Sequence, residues 1–188
     1  MTLTVLSPPG EEPVSLSAAK AFLRIAHTGE DDLVGNLIAG ARSQIEQAAG
    51  LALVERTLRR TYSSWPRSIR RRGVRLTPGP AKMLLAVRVV EADGVETDYT
   101  GHFQIDDGRI CLRPWRLAPP VPIGGHIEVD FVAGFGLQAQ VPEDLVLAVK
   151  RMTQMAYDLR ALPDRRQRDD GLPEDVRAIL NARQGARL

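Results

Sequence analysis

The sequence has little of what small active sites and covalent frameworks are made from. It carries one cysteine, Cys111, so no internal disulfide can form, and a single thiol fits synthesis in a reducing compartment. Its three histidines, His27, His102 and His126, are far apart, with no metal-ligand spacing among themselves or with Cys111. No apolar run approaches the roughly 20 residues that a membrane-spanning helix needs. The opening, MTLTVLSPPGEEP, lacks the basic and apolar regions of a signal peptide. There is no Gly-rich phosphate loop, no G-x-S-x-G elbow and no H-E-x-x-H. The helix-turn-helix and zinc-finger patterns that read DNA sequence are missing too. These absences argue against an enzyme, and neither a cofactor nor a metal is expected. Cys111, between Ile110 and Leu112, reads as a buried structural thiol. The acids Glu30-Asp31-Asp32 and Asp106-Asp107 have structural explanations, the first at a helix start and the second in a turn.

The stretch from Ile127 to Arg160 organises what is present. Ile127, Val129 and Phe131 alternate with Glu128 and Asp130, the period of a half-buried strand. Ala133-Gly134-Phe135-Gly136 breaks it, and Pro142 with Glu143 and Asp144 opens a helix, where proline and negative charge are favoured. Leu145, Val149, Met152, Ala156 and Leu159 form its apolar stripe to about Arg160. Upstream, residues 1–14 look like an extended arm. Ser15 caps a short helix, and a longer helix runs over 30–49 with the stripe Leu33, Leu37, Ala41, Ile45 and Ala48. Thr28 and Asp31 resemble a capping box, and Gly50 supplies a left-handed stop. Gly35 and Gly40 inside that helix suggest close packing on another helix. From Val54 to Val132 the texture is β, with hairpins at Asp93-Gly94 and Asp107-Gly108. Residues 114–122 are proline-rich and irregular. A charged linker over 162–171, expected to be mobile, leads to a last short helix from Pro173 to about Arg183.

With no alternating βαβ units, the reading is α+β. A helical bundle carries an antiparallel β section, 54–132, between its second and third helices. The helices occupy 15–49 and 142–183 of one domain spanning 1–188. Helices 30–49 and 142–160 should pack together at the centre.

Net charge is only +2, but it is unevenly placed. Residues 55–75 hold Arg56, Arg59, Arg60, Arg67, Arg70, Arg71, Arg72 and Arg75 against Glu55 alone, a segment of +7 in a chain whose remainder is −5. Such a stripe suits a polyanion or an acidic partner surface, and equally a solvated loop. Tyr62 and Trp65 lie inside it, as aromatics do at nucleic-acid sites and at protein interfaces.

A series of short motifs in order resembles the phage head–tail connector family. These are the head-completion or adaptor proteins of tailed phages and gene transfer agents. The series begins with Glu12-Pro13-Val14-Ser15-Leu16, Ala18-Ala19-Lys20 and Leu23-Arg24-Ile25. It continues through Glu30-Asp31-Asp32, Leu37-Ile38, Ala41-Arg42, Glu46, Gly50, Leu53 and Trp65-Pro66. It ends with Val129 to Gly136, Val141-Pro142-Glu143, Tyr157-Asp158-Leu159-Arg160 and Leu172-Pro173. The resemblance implies a structural adaptor, made in the bacterial cytoplasm and built into the particle neck. It would form a ring, dodecameric like the portal, between the portal protein and a tail-side stopper or tail terminator, continuing the DNA channel. It also implies docking on the portal through the C-terminal segment, whose candidate residues are Val176, Ile179, Leu180, Arg183 and Arg187. The arginine run has no counterpart in the family pattern. Its eight arginines are candidates for the DNA lumen or for subunit contact. The alternatives are a regulatory protein binding nucleic acid through 56–75, and a small enzyme with a site assembled from scattered residues.

Overall fold

A computed structural model describes residues 1–159 and 172–185. The fold is α+β. Its elements gather into two compact units: Met1–Gly10 with Glu55–Gly134, and Glu11–Val54 with the chain from Phe135 onward.

The first unit is antiparallel β. A five-stranded sheet has the order β1-β2-β8-β4-β5, from β1 (Thr2–Ser7), β2 (Arg56–Tyr62), β4 (Ala81–Val90), β5 (Glu96–Asp98) and β8 (His126–Ala133). A smaller sheet joins β3 (Val74–Arg75), β7 (Arg109–Leu112) and β6 (Phe103–Asp106). Both expected hairpins are present, closed at Gly94 and Gly108 in left-handed conformations that glycine adopts without strain. One face of the large sheet is apolar. Leu58, Phe131, Val129, Val87, Ile127 and Val89 point there by alternation and are buried. Phe103, Ile110 and Leu76 are the buried side chains of the smaller-sheet region.

Two expectations change in this unit. The arm at 1–14 is in part a strand, because β1 pairs with β2 from Thr2↔Thr61 to Ser7↔Thr57. That pairing joins residues 50 to 59 apart in sequence, from Ser7↔Thr57 to Thr2↔Thr61, and local pattern carries no trace of it. Nor is β8 half-buried, since Asp130 on its polar face is as covered as much of the core. The reason is an ion-pair network described below.

The second unit is helical: α1 (Leu16–Leu23), α2 (Asp31–Ala49), α3 (Glu143–Leu159) and α4 (Glu174–Gly185). Ser15 caps α1, its hydroxyl accepting from Ala18 N at 3.2 Å. Gly50, at φ 63°, ends α2 as a left-handed cap. The helices α2 and α3 pack on each other as expected, through Val34, Ile38, Ala41 and Ile45 on one side and Leu145, Ala148, Val149 and Met152 on the other. The buried row of α2 nonetheless differs from the one read in sequence. Leu33 and Ala48 are exposed, Leu37 is half-buried, and Val34 and Ile38 take the inner places. Two adjacent helical rows are apolar here, sharing Ala41 and Ile45, and periodicity alone does not choose between them. The capping box is absent as well. Asp31 is already the first helical residue, and Glu30 stands at the cap without a side-chain bond to the helix's first backbone N–H groups. Close packing does not explain Gly35 and Gly40, because a Cβ built at either meets no described atom within 4 Å.

Polar contacts tie this unit together. Arg42 donates to Glu12 at 2.7 Å and to Glu46 at 3.0 Å, and Glu46, buried, also accepts Leu53 N at 2.8 Å. Tyr157 donates to Glu30 at 2.6 Å, and Lys20 pairs with Asp31.

Candidate assembly and nucleic-acid surfaces

The structure divides the arginine run. Three members lie on β2, where alternation sends them to opposite faces. Arg59 stands directly across from Asp130 on β8. It holds that carboxylate at both oxygens, 2.7 and 2.9 Å, and reaches Glu128 at 2.8 Å. From the other side Arg88 on β4 donates to Asp130 at 2.5 Å and reaches Glu96 at 3.3 Å. Burial alone would raise the Asp130 pKa. Hydrogen bonds and charge from Arg59 and Arg88 outweigh it and hold the carboxyl below its ordinary range. Arg60 donates to the Thr77 carbonyl at 2.7 Å and to its hydroxyl at 2.8 Å. Arg56 is half-buried on the same strand. Arg59 and Arg60 therefore hold the β unit together.

Arg67, Arg70, Arg71, Arg72 and Arg75 are exposed. Arg67 and Arg70 bound a single 3-10 turn, Arg71 and Arg72 follow in the turn leading to β3, and Arg75 lies on β3 itself. Buried Ile69 anchors that turn from below. Downstream, Gly73 at φ 70° lies against β7, where a Cβ would come within 2.3 Å of the Cys111 sulfur and 2.7 Å of the Ile110 carbonyl. Cys111 is half-buried, and burial pushes its thiol pKa up, as expected of an inert thiol. The structure thus fixes a compact cationic turn. Trp65 is not its stacking platform: its ring lies on Phe103 at 4.8 Å, and its N–H donates to the Pro119 carbonyl at 2.9 Å.

Sequence reasoning took 114–122 as proline-rich and irregular but singled out none of the apolar residues of the loop 113–125. Its base is held by Arg113 donating to the Phe103 carbonyl at 2.9 Å, and by the Trp65 bond to Pro119. Trp115 and Ile123 are fully exposed and Leu117 is nearly so. Large apolar side chains inside a proline-rich run that cannot form a strand were the available signal.

The structure brings Val176, Ile179, Leu180 and Arg183 together on α4, facing the chain's own helices. Val176 and Leu180 are buried and Ile179 partly so. Arg183 clasps Asp144 at 2.5 and 2.6 Å and lies 5.9 Å above the Phe135 ring. The hydrogen bond from Arg183 holds the Asp144 carboxyl below its usual range. Arg187 and the linker 162–171 lie outside the described residues. Among the described residues no three His, Cys, Asp or Glu side chains gather as a metal site would need, and no helix is long and apolar enough to cross a membrane.

No family model matches this chain, and no curated protein matches it. Solved structures do. The fold is shared with chains of a virus-like particle, and each alignment below covers 97 % of this chain and 94 % of the other. One such chain belongs to the virion of a native gene transfer agent (GTA) particle, with a TM-score of 0.82 at 24 % identity. Another belongs to the neck of an empty GTA particle computed with C6 symmetry, 0.79 at 25 %. A third belongs to the neck of a native GTA particle computed with C12 symmetry, 0.73 at 27 %.

Proposed function

We propose that this chain is a head–tail connector, a ring subunit in the neck of a phage or phage-like particle such as a gene transfer agent. The observation that carries this reading is the match, end to end over both units, with chains from GTA particle necks computed with sixfold and twelvefold symmetry. The ordered motifs point the same way. In this reading both units form one connector domain. The ring sits between the portal and a tail-side stopper or tail terminator and continues the DNA channel. Its role is structural, not enzymatic.

The five exposed arginines are the proposed lumen or subunit contact. A ring multiplies their charge, and a passing DNA backbone or an acidic neighbour offsets the repulsion. The regulatory alternative rests on the same run, yet Arg59 and Arg60 are already engaged within the β unit.

The C-terminal segment is the proposed portal contact. Because Val176 and Leu180 are covered by the chain's own bundle, docking through them requires α4 to leave its seat and release Asp144. Docking without that movement uses the exposed side of α4 at Glu174, Asp175, Ala178 and Asn181. Co-sedimentation with purified portal rings separates the two. A swing-out contact is weakened by Val176→Ala and Leu180→Ala beyond their effect on folding. A seated contact is weakened by Ala178→Arg and Asn181→Arg alone. Undiminished portal binding after deletion of residues 172–188 would place the docking surface elsewhere.

A further inference from the structure

The large sheet ends in two open edges of contrasting character. At one edge β1 reads TLTVLS, six residues without a charge or a proline, all exposed. Leu3 and Val5 fall on the apolar face, continuing the row that runs through Leu58 and Phe131, and they remain 41 % and 51 % exposed. Free-standing proteins usually blunt such an edge with lysine, proline or shortness, because its unpaired N–H and C=O groups template another strand. The opposite edge, β5, is Glu96-Thr97-Asp98, also fully exposed. Alternation puts Thr97 on the apolar face beside exposed Val95, and Glu96 and Asp98 on the polar face.

Direction matters for what these edges can do. Every neighbouring pair in the sheet is antiparallel, so β1, β8 and β5 all run the same way. A cyclic ring needs two different patches on each subunit, one meeting the other on the next copy. A twelvefold rotation turns the neighbour by only about 30°, which leaves strand directions nearly aligned. Thus β1 of one copy beside β5 of the next forms a parallel pair, with evenly spaced, slanted hydrogen bonds. Leu3 and Val5 then cover Val95 and Thr97. Thr2 and Thr4 meet Glu96 and Asp98, so the carboxylates face hydroxyls and no like charge.

We propose that β1 and β5 join edge to edge between neighbouring copies, so that the sheet continues from subunit to subunit. This rests on the ring reading above, and the occupant of each edge is a second copy of this chain.

The test uses the full chain with Cys111→Ser, carrying Thr97→Cys with either Leu3→Cys or Val5→Cys, assembled into particles and treated with a short bis-maleimide. The expected result is a ladder of covalent multimers on a denaturing gel from the double variants, and monomers from each single variant. Particles containing the chain at its normal level, yet giving only monomers from both pairs, would overturn the edge pairing and leave the ring intact. Absence of the chain from particles would overturn the ring reading itself. As a second readout, Thr4→Asp, on the polar face, places a carboxylate against Glu96 and Asp98 of the next copy and should weaken self-association several-fold, with the thermal melt of the free protein little changed. Unchanged self-association in that variant also counts against the proposal.

Discussion

Replacing Asp130 by alanine would remove the carboxylate on which two arginines from two different strands converge. Arg59 and Arg88 keep about a quarter of their side-chain surface in water, 27 % and 22 %, while Asp130 keeps 8 %. In the variant Arg59 is left facing Glu128, and Arg88 is left with Glu128 and the more exposed Glu96. Breaking a buried ion pair from one side costs about 3–5 kcal/mol, and the remaining exposure and Glu128 set the expectation at the lower end, about 3 kcal/mol. With a urea slope of about 2 kcal/mol/M, the unfolding midpoint should fall by about 1.5 M. Arg71→Ala, on the exposed turn, should move stability by less than about 0.5 kcal/mol. The two values separate arginines that hold the sheet from arginines available to a partner. An Asp130→Ala midpoint within about 0.3 M of the unaltered protein would refute the reasoning, because the network would then be no stronger than a surface pair. Acid titration supplies the sign. The Asp130 pKa is depressed in the folded state, so its contribution is complete above the ordinary carboxylate range and is lost as pH falls through the lower folded value.

Four further outcomes follow from the same geometry. Gly35→Ala and Gly40→Ala should each stabilise the protein by about 0.5–1 kcal/mol in thermal melts, since the added methyl meets open space inside a helix. Ile38→Ala should cost about 2–5 kcal/mol and Leu37→Ala clearly less in denaturant unfolding, reversing the order that the sequence stripe implied. Charge reversal at Arg70, Arg71 and Arg72 should lower the titre of DNA-filled particles without lowering the melting temperature of the free chain. The clasp of α4 should loosen in acid, because Asp144 has a depressed pKa. Hydrogen exchange of α4 should rise below the ordinary carboxylate range, only modestly because the pair is partly exposed, and Asp144→Asn should abolish the pH dependence.

Much of the architecture was legible because its signals are local. Ser15, Gly50, Pro142 and the two Asp-Gly turns act through their own backbone preferences, and each helix and hairpin they mark is present. What escaped is long-range. The strand at Thr2–Ser7 exists only through its partner across the chain, and the choice between two apolar rows on α2 is made by α3. The candidate surfaces follow the same division. Composition revealed the arginine run but not that Arg59 would face Asp130, seventy-one residues away. The motif residues behind the connector resemblance prove to be working contacts of the helical unit. Glu12, Arg42 and Glu46 form one network, and Glu30 is bound by Tyr157. Trp115, Leu117 and Ile123 were overlooked because exposed apolar residues in a loop have no periodicity to betray them.

The central claim is that this chain is a neck ring subunit, and its copy number in the particle tests it most directly. Purified particles, digested and quantified by mass spectrometry against isotope-labelled peptides of this chain and of the portal, give the ratio of the two. A twelvefold ring matching a dodecameric portal predicts a ratio near one, constant across preparations that are DNA-filled and empty. A chain absent from the particles, or present at a small fraction of the portal, would contradict the account.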